Sequence, residues 1–344
     1  MDIKQFIINK SKELNIDIIG FTDGEPLSRI EDYLKYRKEK SIATEFEEKD
    51  LEKRINPRLT MPNCSSIIVI GMSYNVDYNE KPDFKVRGSL SKSTWGIDYH
   101  RVLKAKLEEL INEIKKEIDF EYKYFVDTGP LIDRELAYKA GIGYYGKNNN
   151  IINDKYGSFI FLGIILTDII INSFDVPLES KCGDCDLCLR ACPTGALEGS
   201  CRLNPKKCIS YLTQTKDNID YELCRKMGIK IYGCDICQKA CPKNKKIVYS
   251  SHKEFIPNVT KGYIDIEELV NMSNKEFKQK YGDMSGSWRG KSVLKRNALI
   301  ALGNMKDKEN VEILNGVFKE ENPFFKNYIT YALNNIFQTT SNDE

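Results

Sequence analysis

The residues best suited to chemistry are cysteines between positions 182 and 242. Their two runs read Cys182-Gly-Asp-Cys185-Asp-Leu-Cys188-Leu-Arg-Ala-Cys192-Pro193 and Cys234-Asp-Ile-Cys237-Gln-Lys-Ala-Cys241-Pro242, with Cys208 between them. Iron-sulfur clusters need soft thiolate ligands, and in ferredoxins a run of this spacing supplies three cysteines to one cluster and its fourth to a second. The spacing therefore predicts two 4Fe-4S clusters.

The ligand sets follow from the one irregularity in the pattern. Ile231 stands where the second run would begin with a cysteine, and Cys208 can replace the missing ligand. We therefore predict one cluster on Cys182, Cys185, Cys188 and Cys241, and the other on Cys192, Cys208, Cys234 and Cys237. A pair of zinc sites and a disulfide framework are the alternatives. A 344-residue chain can build its own core, which disfavours disulfides, and the two Cys-Pro endings disfavour zinc.

Composition limits the remaining function classes. Lys and Arg number 52 against 50 Asp and Glu, so any contact with nucleic acid must come from local patches. The first twenty residues contain acidic side chains and no long apolar run, so neither a signal peptide nor a membrane span is expected. Cys64, Cys201 and Cys224 remain outside the predicted clusters, and this odd remainder fits a reducing cytoplasm.

Hydrophobic periodicity predicts an α+β multidomain protein. Helices are expected near residues 2–14, 27–38, 46–53 and 99–118, strands near 16–21, 67–72, 122–126 and 159–166, and a loop over 78–93. This alternation indicates an α/β domain over 1–172. A ferredoxin-like domain over 173–250 follows. A helix near 264–280 and amphipathic helices near 291–303, 308–319 and 324–337 predict a HEAT-like helical domain over 251–344.

The predicted helical domain contains a basic segment at the start of the helix expected near 291–303. It reads Trp288-Arg289-Gly-Lys291-Ser-Val-Leu-Lys295-Arg296-Asn297 and places cations around an aromatic residue at a helix start. This pattern favours a surface for phosphates and nucleotides. The alternative is a solvated basic face without a ligand.

The first domain contains no recognisable motif for a second cofactor. The sequence has no GxGxxG after a strand, no P-loop and no HExxH. With His100 and His252 as its only histidines, it cannot form a site with three histidine ligands. We expect His100 to be packed or hydrogen-bonded. Because clusters move electrons but supply no substrate chemistry, residue patterns alone predict a redox protein with an unidentified second cofactor.

A resemblance to a known family extends this prediction. The cysteine block, Trp95-Gly96-Ile97-Asp98-Tyr99-His100, Asp127-Thr-Gly, Asp133-Arg134, Ala140-Gly-Ile-Gly143, Lys147-Asn148 and Ser285-Gly-Ser-Trp288-Arg289-Gly-Lys291 together resemble the epoxyqueuosine reductase family. The resemblance runs from the amino terminus to about residue 305. It implies a cobalamin-dependent reductase that holds a base-off corrinoid between the α/β domain and the clusters.

The resemblance also implies a substrate and a reaction. Members of the family remove the epoxide oxygen of epoxyqueuosine in a tRNA anticodon and leave queuosine, the last step of queuosine biosynthesis. Cob(I)alamin is a nucleophile strong enough to open an epoxide, and the clusters would pass it electrons from an external low-potential donor. The departing alkoxide needs a proton. The family's motif implies Asp127 as the acid, with Asp133 as second candidate; from residue type alone, Asp127 would cap a turn.

The family pattern further implies contact residues. Those expected at cobalamin are Arg54, Asp127, Arg134, Ile151, Leu162 and Ser210. Those expected at tRNA are Lys216, Lys275, Trp288, Arg289 and Lys291. Two other functions remain open at this point. One is a corrinoid reductive dehalogenase, which usually carries an export signal, and the other is an electron carrier, which would need only residues 182–242.

Overall fold

The computed structural model describes residues 2–319 and 322–338. The strands are β1 (Ile18–Asp23), β2 (Ser66–Ser73), β3 (Arg87–Leu90), β4 (Tyr122–Phe125), β5 (Tyr144–Tyr145), β6 (Ile151–Ile152), β7 (Ile160–Thr167), β8 (Leu197–Gly199), β9 (Arg202–Leu203), β10 (Lys230–Tyr232) and β11 (Tyr263–Asp265). The α-helices are α1 (Ile3–Glu13), α2 (Ser28–Glu39), α3 (Leu51–Ile55), α4 (Pro57–Thr60), α5 (Tyr99–Lys115), α6 (Asp133–Lys139), α7 (Leu187–Ala191), α8 (Ile209–Leu212), α9 (Tyr221–Met227), α10 (Ile236–Lys239), α11 (Ile266–Asn271), α12 (Asn274–Tyr281), α13 (Lys291–Met305), α14 (Asn310–Phe318) and α15 (Pro323–Phe337). Short 3-10 helices cover Lys92–Thr94, Pro205–Lys207, Pro242–Asn244, Lys253–Phe255 and Ser285–Arg289.

The first part of the chain is built on a four-stranded sheet in the order β1, β2, β7, β4. Every residue of β2 is buried, because successive side chains enter opposite cores. Ile68 and Ile70 pack with α1 and α5, whereas Ile67 and Val69 pack with α2 and α6. The apolar run predicted as a doubly buried strand is thus confirmed, with helices on both faces.

The strands of this sheet are antiparallel, which is unusual for a chain in which strands and helices alternate. Alternating strands and helices typically form parallel sheets, yet β1, β7 and β4 all pair antiparallel with their neighbours.

Two local predictions of secondary structure were also wrong. Residues 46–50 are not helical, and the helix begins at Leu51, where the Asp50 side chain accepts the first free backbone N–H groups. The expected loop over 78–93 contains β3.

A second sheet joins distant parts of the sequence. β3 lies between β10, with which it is parallel, and β11, with which it is antiparallel. Gly88 allows this approach, because a Cβ atom there would lie 2.2 Å from a side-chain carbon of Ile231. The three segments expected as separate domains therefore share one sheet. Residues from all three, such as Leu90, Ile231 and Leu269, also share one hydrophobic core.

The carboxy-terminal helices surround α13. Predicted helices at 291–303, 308–319 and 324–337 are confirmed as α13, α14 and α15, and the stretch predicted over 264–280 forms β11, α11 and α12. The expectation that α13 is amphipathic was wrong. All residues from Val293 to Gly303 are buried, since α13 contacts α9, α11, α14, α15 and β10. No helix within residues 2–319 and 322–338 is long and apolar enough to cross a membrane.

Candidate active site and cluster-binding region

The first predicted thiol set surrounds a cavity. Cys182, Cys185, Cys188 and Cys241 line a small cavity, together with Lys147, Asn148, Ile152, Pro242 and Lys243. A turn closed by the Cys185 N–H and the Cys182 carbonyl brings the first two thiols together, and α7 carries the third. The fourth follows α10, which contacts α7. Residues about 60 positions apart in sequence thus meet at one site.

The second predicted set lies beside the first. Burial, followed by the nearby thiolate charges of Cys208, Cys234, Cys192 and Cys188, raises the pKa of Cys237. Three of these neighbours belong to the same predicted set, and Cys188 belongs to the other, so the two sets adjoin. Although burial opposes it, hydrogen bonds from Thr194 and from nearby backbone N–H groups lower the pKa of Cys192.

Four thiols can hold either a single metal ion or a cluster. The thiols of the first set line one cavity. Zinc with four thiolates would draw them to about 2.3 Å from one centre, whereas a cluster spreads its ligands over four irons.

Asp127 lies on the loop between β4 and α6. Its backbone has a positive φ of 58°, and its side chain is 69% exposed. The Tyr99 hydroxyl donates a hydrogen bond of 2.6 Å to Asp127 Oδ2, while the Asp127 N–H donates to Asp133 Oδ2 at 3.1 Å. A non-glycine residue with positive φ is uncommon and marks a specially held backbone. The loop therefore presents an exposed carboxylate whose position is fixed from two sides.

Asp133, the first residue of α6, differs in its environment. Burial, followed by the negative charge of Asp127, raises its pKa to about 7. A carboxyl group with a pKa near neutrality can hold a proton and release it at working pH. The two aspartates predicted as alternative acids are thus neighbours with different properties.

His100 adds a third titratable group to this site. Its Nδ1 lies 2.7 Å from Asp98 Oδ1, and its Nε2 lies 3.9 Å from Asp127 Oδ2. Burial lowers the pKa of His100, but the hydrogen bond and the charge of Asp98, with the charge of Asp127, raise it overall. The hydrogen-bonded role expected for His100 agrees with this geometry. Asp98 and Tyr99 were not singled out from the sequence, although both lie in the Trp95–His100 motif.

The residues expected at cobalamin occupy several environments. Arg54 is mostly buried and forms an ion pair of 2.7 Å with Glu47. Arg134 is exposed, donates a hydrogen bond to the Asn149 carbonyl at 2.6 Å, and lies near enough to Arg54 and Cys208 to affect the pKa of each. The remaining three are Ile151, which is buried, and Leu162 and Ser210, which are half-buried.

The residues expected at tRNA are open to solvent or partly so. Lys216 and Lys275 are exposed, and Arg289 and Lys291 are half-buried. Trp288 is 58% exposed. The Arg289 guanidinium lies 4.6 Å from the Trp288 ring and 5.1 Å from the ring of Phe46, a residue that sequence reasoning missed.

The prediction of a phosphate surface along the whole basic segment 288–297 was wrong. Lys295, Arg296 and Asn297 are buried, so the expected phosphate surface does not extend over 288–297. Arg296 donates hydrogen bonds to the carbonyls of Thr215 and Leu212 at 2.7 and 2.8 Å. Its guanidinium replaces water for backbone groups that would otherwise lack partners, which is a structural role.

Tyr232 connects the exposed aromatic surface to the aspartates. Its hydroxyl accepts a hydrogen bond of 2.9 Å from Trp288 Nε1. Burial raises the pKa of Tyr232, and the charges of Asp127 and Asp98 raise it further. Trp288, Tyr232 and Asp127 therefore belong to one continuous region.

Comparisons with known proteins place the chain in a family. The family model described as epoxyqueuosine reductase QueG, DUF1730 matches residues 54–128, and that of a 4Fe-4S double cluster binding domain matches residues 181–244. An epoxyqueuosine reductase of Bacillus cereus is 41% identical over 339 residues, covering 97% of this chain and 89% of the relative.

Solved structures agree with this result. An epoxyqueuosine reductase crystallised with an epoxyqueuosine-modified tRNA-Tyr stem loop is 38% identical, with a TM-score of 0.93 and coverage of 97% of this chain and 90% of that one. A Bacillus subtilis epoxyqueuosine reductase, with an aspartate catalytic loop swung out of its active site, is 37% identical, with a TM-score of 0.91 and the same coverage. Identity near 40% over nearly the whole length shows that this chain belongs to the epoxyqueuosine reductase family.

Proposed function

We propose that this protein reduces epoxyqueuosine to queuosine in tRNA. The observation that carries the proposal is the near full-length similarity to an epoxyqueuosine reductase crystallised with its modified tRNA stem loop. An electron carrier would need only the cysteine block, yet the similarity covers 97% of the chain. A reductive dehalogenase would have no use for the exposed surface around Trp288, which adjoins the aspartates.

The thiol sets suit two 4Fe-4S clusters. Four thiols and Asn148 line the first cavity, and Tyr144 packs in the cluster of side chains that contains Cys241. Among the described residues, the buried atoms Tyr144 Oη and Asn148 Nδ2 have no hydrogen-bond partner. Polar groups of this kind fit a sulfur-rich ligand. We assign Cys182, Cys185, Cys188 and Cys241 to one cluster, and Cys192, Cys208, Cys234 and Cys237 to the other.

The exposed side chains of Asp127 and Arg134, with Arg134 close to Cys208 of the second thiol set, suit a corrinoid site. Exposed Arg134 gives this region a cationic edge near Cys208, which would favour the amide and phosphate groups of cobalamin. Arg54, Ile151, Leu162 and Ser210 would complete the contacts, with the two apolar residues packing on the ring. When bound, cobalamin would supply the nucleophile for opening the epoxide, and the clusters would supply its electrons.

The chain's own residues handle the proton. Opening the epoxide leaves an alkoxide, which Asp127 would protonate from its exposed position on the loop. A second proton would let this oxygen leave as water, and two electrons from the external donor, passed through the clusters, balance the reduction. Tyr99 orients the Asp127 carboxyl group, and His100 with Asp98 provides a second donor 3.9 Å away. The aspartate catalytic loop named for the B. subtilis relative supports an acid that is carried on a loop.

Asp133 makes the site sensitive to pH. Its folded pKa of about 7 lies above the ordinary value of 3.8, so the protonated form is favoured in the folded chain. This group adds stability at low pH, and that contribution is lost as the pH rises from about 4 through about 7. The same loss of its proton places a second negative charge beside Asp127. We therefore expect turnover to fall above neutral pH.

The remaining parts serve the substrate and the electron supply. Lys216, Lys275, Trp288, Arg289 and Lys291 would bind tRNA, with cations at phosphates and Trp288 stacking or packing. We propose a cobalamin-binding catalytic unit over 1–172, a ferredoxin-like unit over 173–250 and a HEAT-like tRNA-binding unit over 251–344. A cytoplasmic low-potential donor would reduce the clusters.

Turnover of modified tRNA tests the proposal. The protein would be purified without oxygen, given cobalamin and a low-potential reductant, and incubated with tRNA containing epoxyqueuosine. Mass spectrometry of the digested nucleosides should show a product lighter by one oxygen atom, and only in reactions that contain cobalamin. Unchanged tRNA in the presence of intact clusters and bound cobalamin would contradict the substrate assignment.

A further inference from the structure

Two residues with buried hydrogen-bond donors pack near the first thiol set, and neither donor has a partner within residues 2–319 and 322–338. Among the described residues, Tyr144 Oη and Asn148 Nδ2 are fully enclosed and unpaired. Tyr144 is 0% exposed and Asn148 is 4% exposed. Leaving a buried polar atom unsatisfied typically costs about 1–3 kcal/mol. Asn148 lines the cavity and Tyr144 packs with Cys241, so these two atoms together indicate a ligand that accepts hydrogen bonds.

The hairpin of β5 and β6 brings Tyr144 to the cysteines. Tyr144 pairs with Ile152, and both pack against Cys241 and Cys182. The phenol stays protonated near neutral pH, so it can donate a hydrogen bond. Its neighbour Tyr145 points to the opposite face of the strand, where the Arg29 guanidinium lies 4.9 Å from its ring.

The loop between these strands fixes the orientation of Asn148. The Asn150 N–H donates to Asn148 Oδ1 at 3.2 Å, which assigns the amide oxygen to the loop. The amide nitrogen is then the free end, and Asn148 itself lines the cavity between the four thiols. Lys147 and Lys243 line the same cavity and add positive charge.

We propose that Tyr144 and Asn148 donate hydrogen bonds to the sulfur atoms of the cluster held by Cys182, Cys185, Cys188 and Cys241, and that these bonds raise its reduction potential. The inference rests on the cluster assignment in the proposed function. Reduction adds one electron to the cluster, and a hydrogen bond stabilises the more negative reduced state more than the oxidised state. Both residues position and tune the cluster and do not contact the tRNA.

A redox titration of the full-length protein tests this inference. The cluster signal would be followed by electron paramagnetic resonance without cobalamin or tRNA, and the signal that Cys182→Ala removes identifies the cluster concerned. Tyr144→Phe deletes only the hydroxyl group and should shift the midpoint potential of that signal to a more negative value. Asn148→Asp keeps the oxygen for the Asn150 N–H but removes the donor, and should shift it in the same direction.

Tyr145→Phe is the matched control, because it makes the same change one residue along the strand and on the other face. Its midpoint potential should equal that of the wild type. Equal potentials in Tyr144→Phe, Asn148→Asp and Tyr145→Phe would overturn the inference. The inference would also be overturned if Tyr144→Phe and Asn148→Asp lost iron while the fraction of this cluster that stays bound kept the wild-type potential. A shift in potential without any turnover of tRNA would retain this inference and reject the proposed substrate.

Discussion

Residue type predicted a functional site in both the cysteine block and the basic segment 288–297, but the side chains of the two segments lie in different environments. Cysteines from both ends of the block meet around one cavity. In the basic segment, Trp288 is exposed while Arg296 is completely buried against backbone carbonyls. Thiolates at ferredoxin spacing have few structural uses, whereas arginine serves equally well at a phosphate or inside a core. Spacing therefore predicts function more reliably for cysteine than for basic residues.

The largest effects should come from breaking the thiol sets. Cys182→Ala and Cys208→Ala should each remove one cluster and so about half of the bound iron and acid-labile sulfide. Cys201→Ala should retain all of it, because Cys201 lies outside both sets and contacts the Tyr145 carbonyl. Iron and sulfide analysis of anaerobically purified protein measures this. Loss of iron in Cys201→Ala would contradict the ligand assignment.

A smaller effect on stability should separate the two halves of the basic segment. Arg296→Met leaves the buried carbonyls of Thr215 and Leu212 without donors, and should lower the free energy of unfolding by about 3 kcal/mol. Arg289→Met removes one hydrogen bond to the Gln214 carbonyl at a half-buried position and should lower the free energy of unfolding by about 1 kcal/mol. Urea denaturation followed by circular dichroism measures both. Equal costs would contradict the structural role given to Arg296.

The smallest effects should appear in tRNA affinity. Lys216→Ala and Lys275→Ala should each weaken binding a few-fold, with a salt dependence lower by about one unit in slope, as expected for loss of one phosphate contact. Lys12→Ala, at an exposed position on α1, is the control. Fluorescence anisotropy of labelled tRNA at several salt concentrations provides the comparison. Unchanged affinity and slope would remove these two lysines from the tRNA surface.

Local patterns predicted much of the fold. Periodicity located β2, β7 and α5, because each buries a regular apolar pattern against two cores or one. It missed β3, whose Arg87-Gly-Ser-Leu90 sequence becomes a strand only by pairing with β10 and β11 from distant segments. It also misjudged α13, since burial of Lys295 and Arg296 depends on acceptors supplied by other elements.

The site shows the same limit. Asp127 and Asp133 were named from a family motif, but the raised pKa of Asp133 depends on burial and on the nearby Asp127 charge, which no local pattern encodes. Tyr232 and Phe46 could not have been found from spacing, because tertiary contacts alone bring them to Trp288. Motifs predicted the candidate site residues, and the fold determines which of them are in contact.

We propose that Asp127 delivers the proton at an active site supplied with electrons by the cysteine block. The most direct test compares epoxyqueuosine consumption by the wild type and by Asp127→Asn, each with the same iron and cobalamin content. We predict that the rate in Asp127→Asn falls roughly 100-fold or more, as expected for loss of a general acid. Asp133→Asn should fall less. Turnover by Asp127→Asn at the wild-type rate would contradict the account.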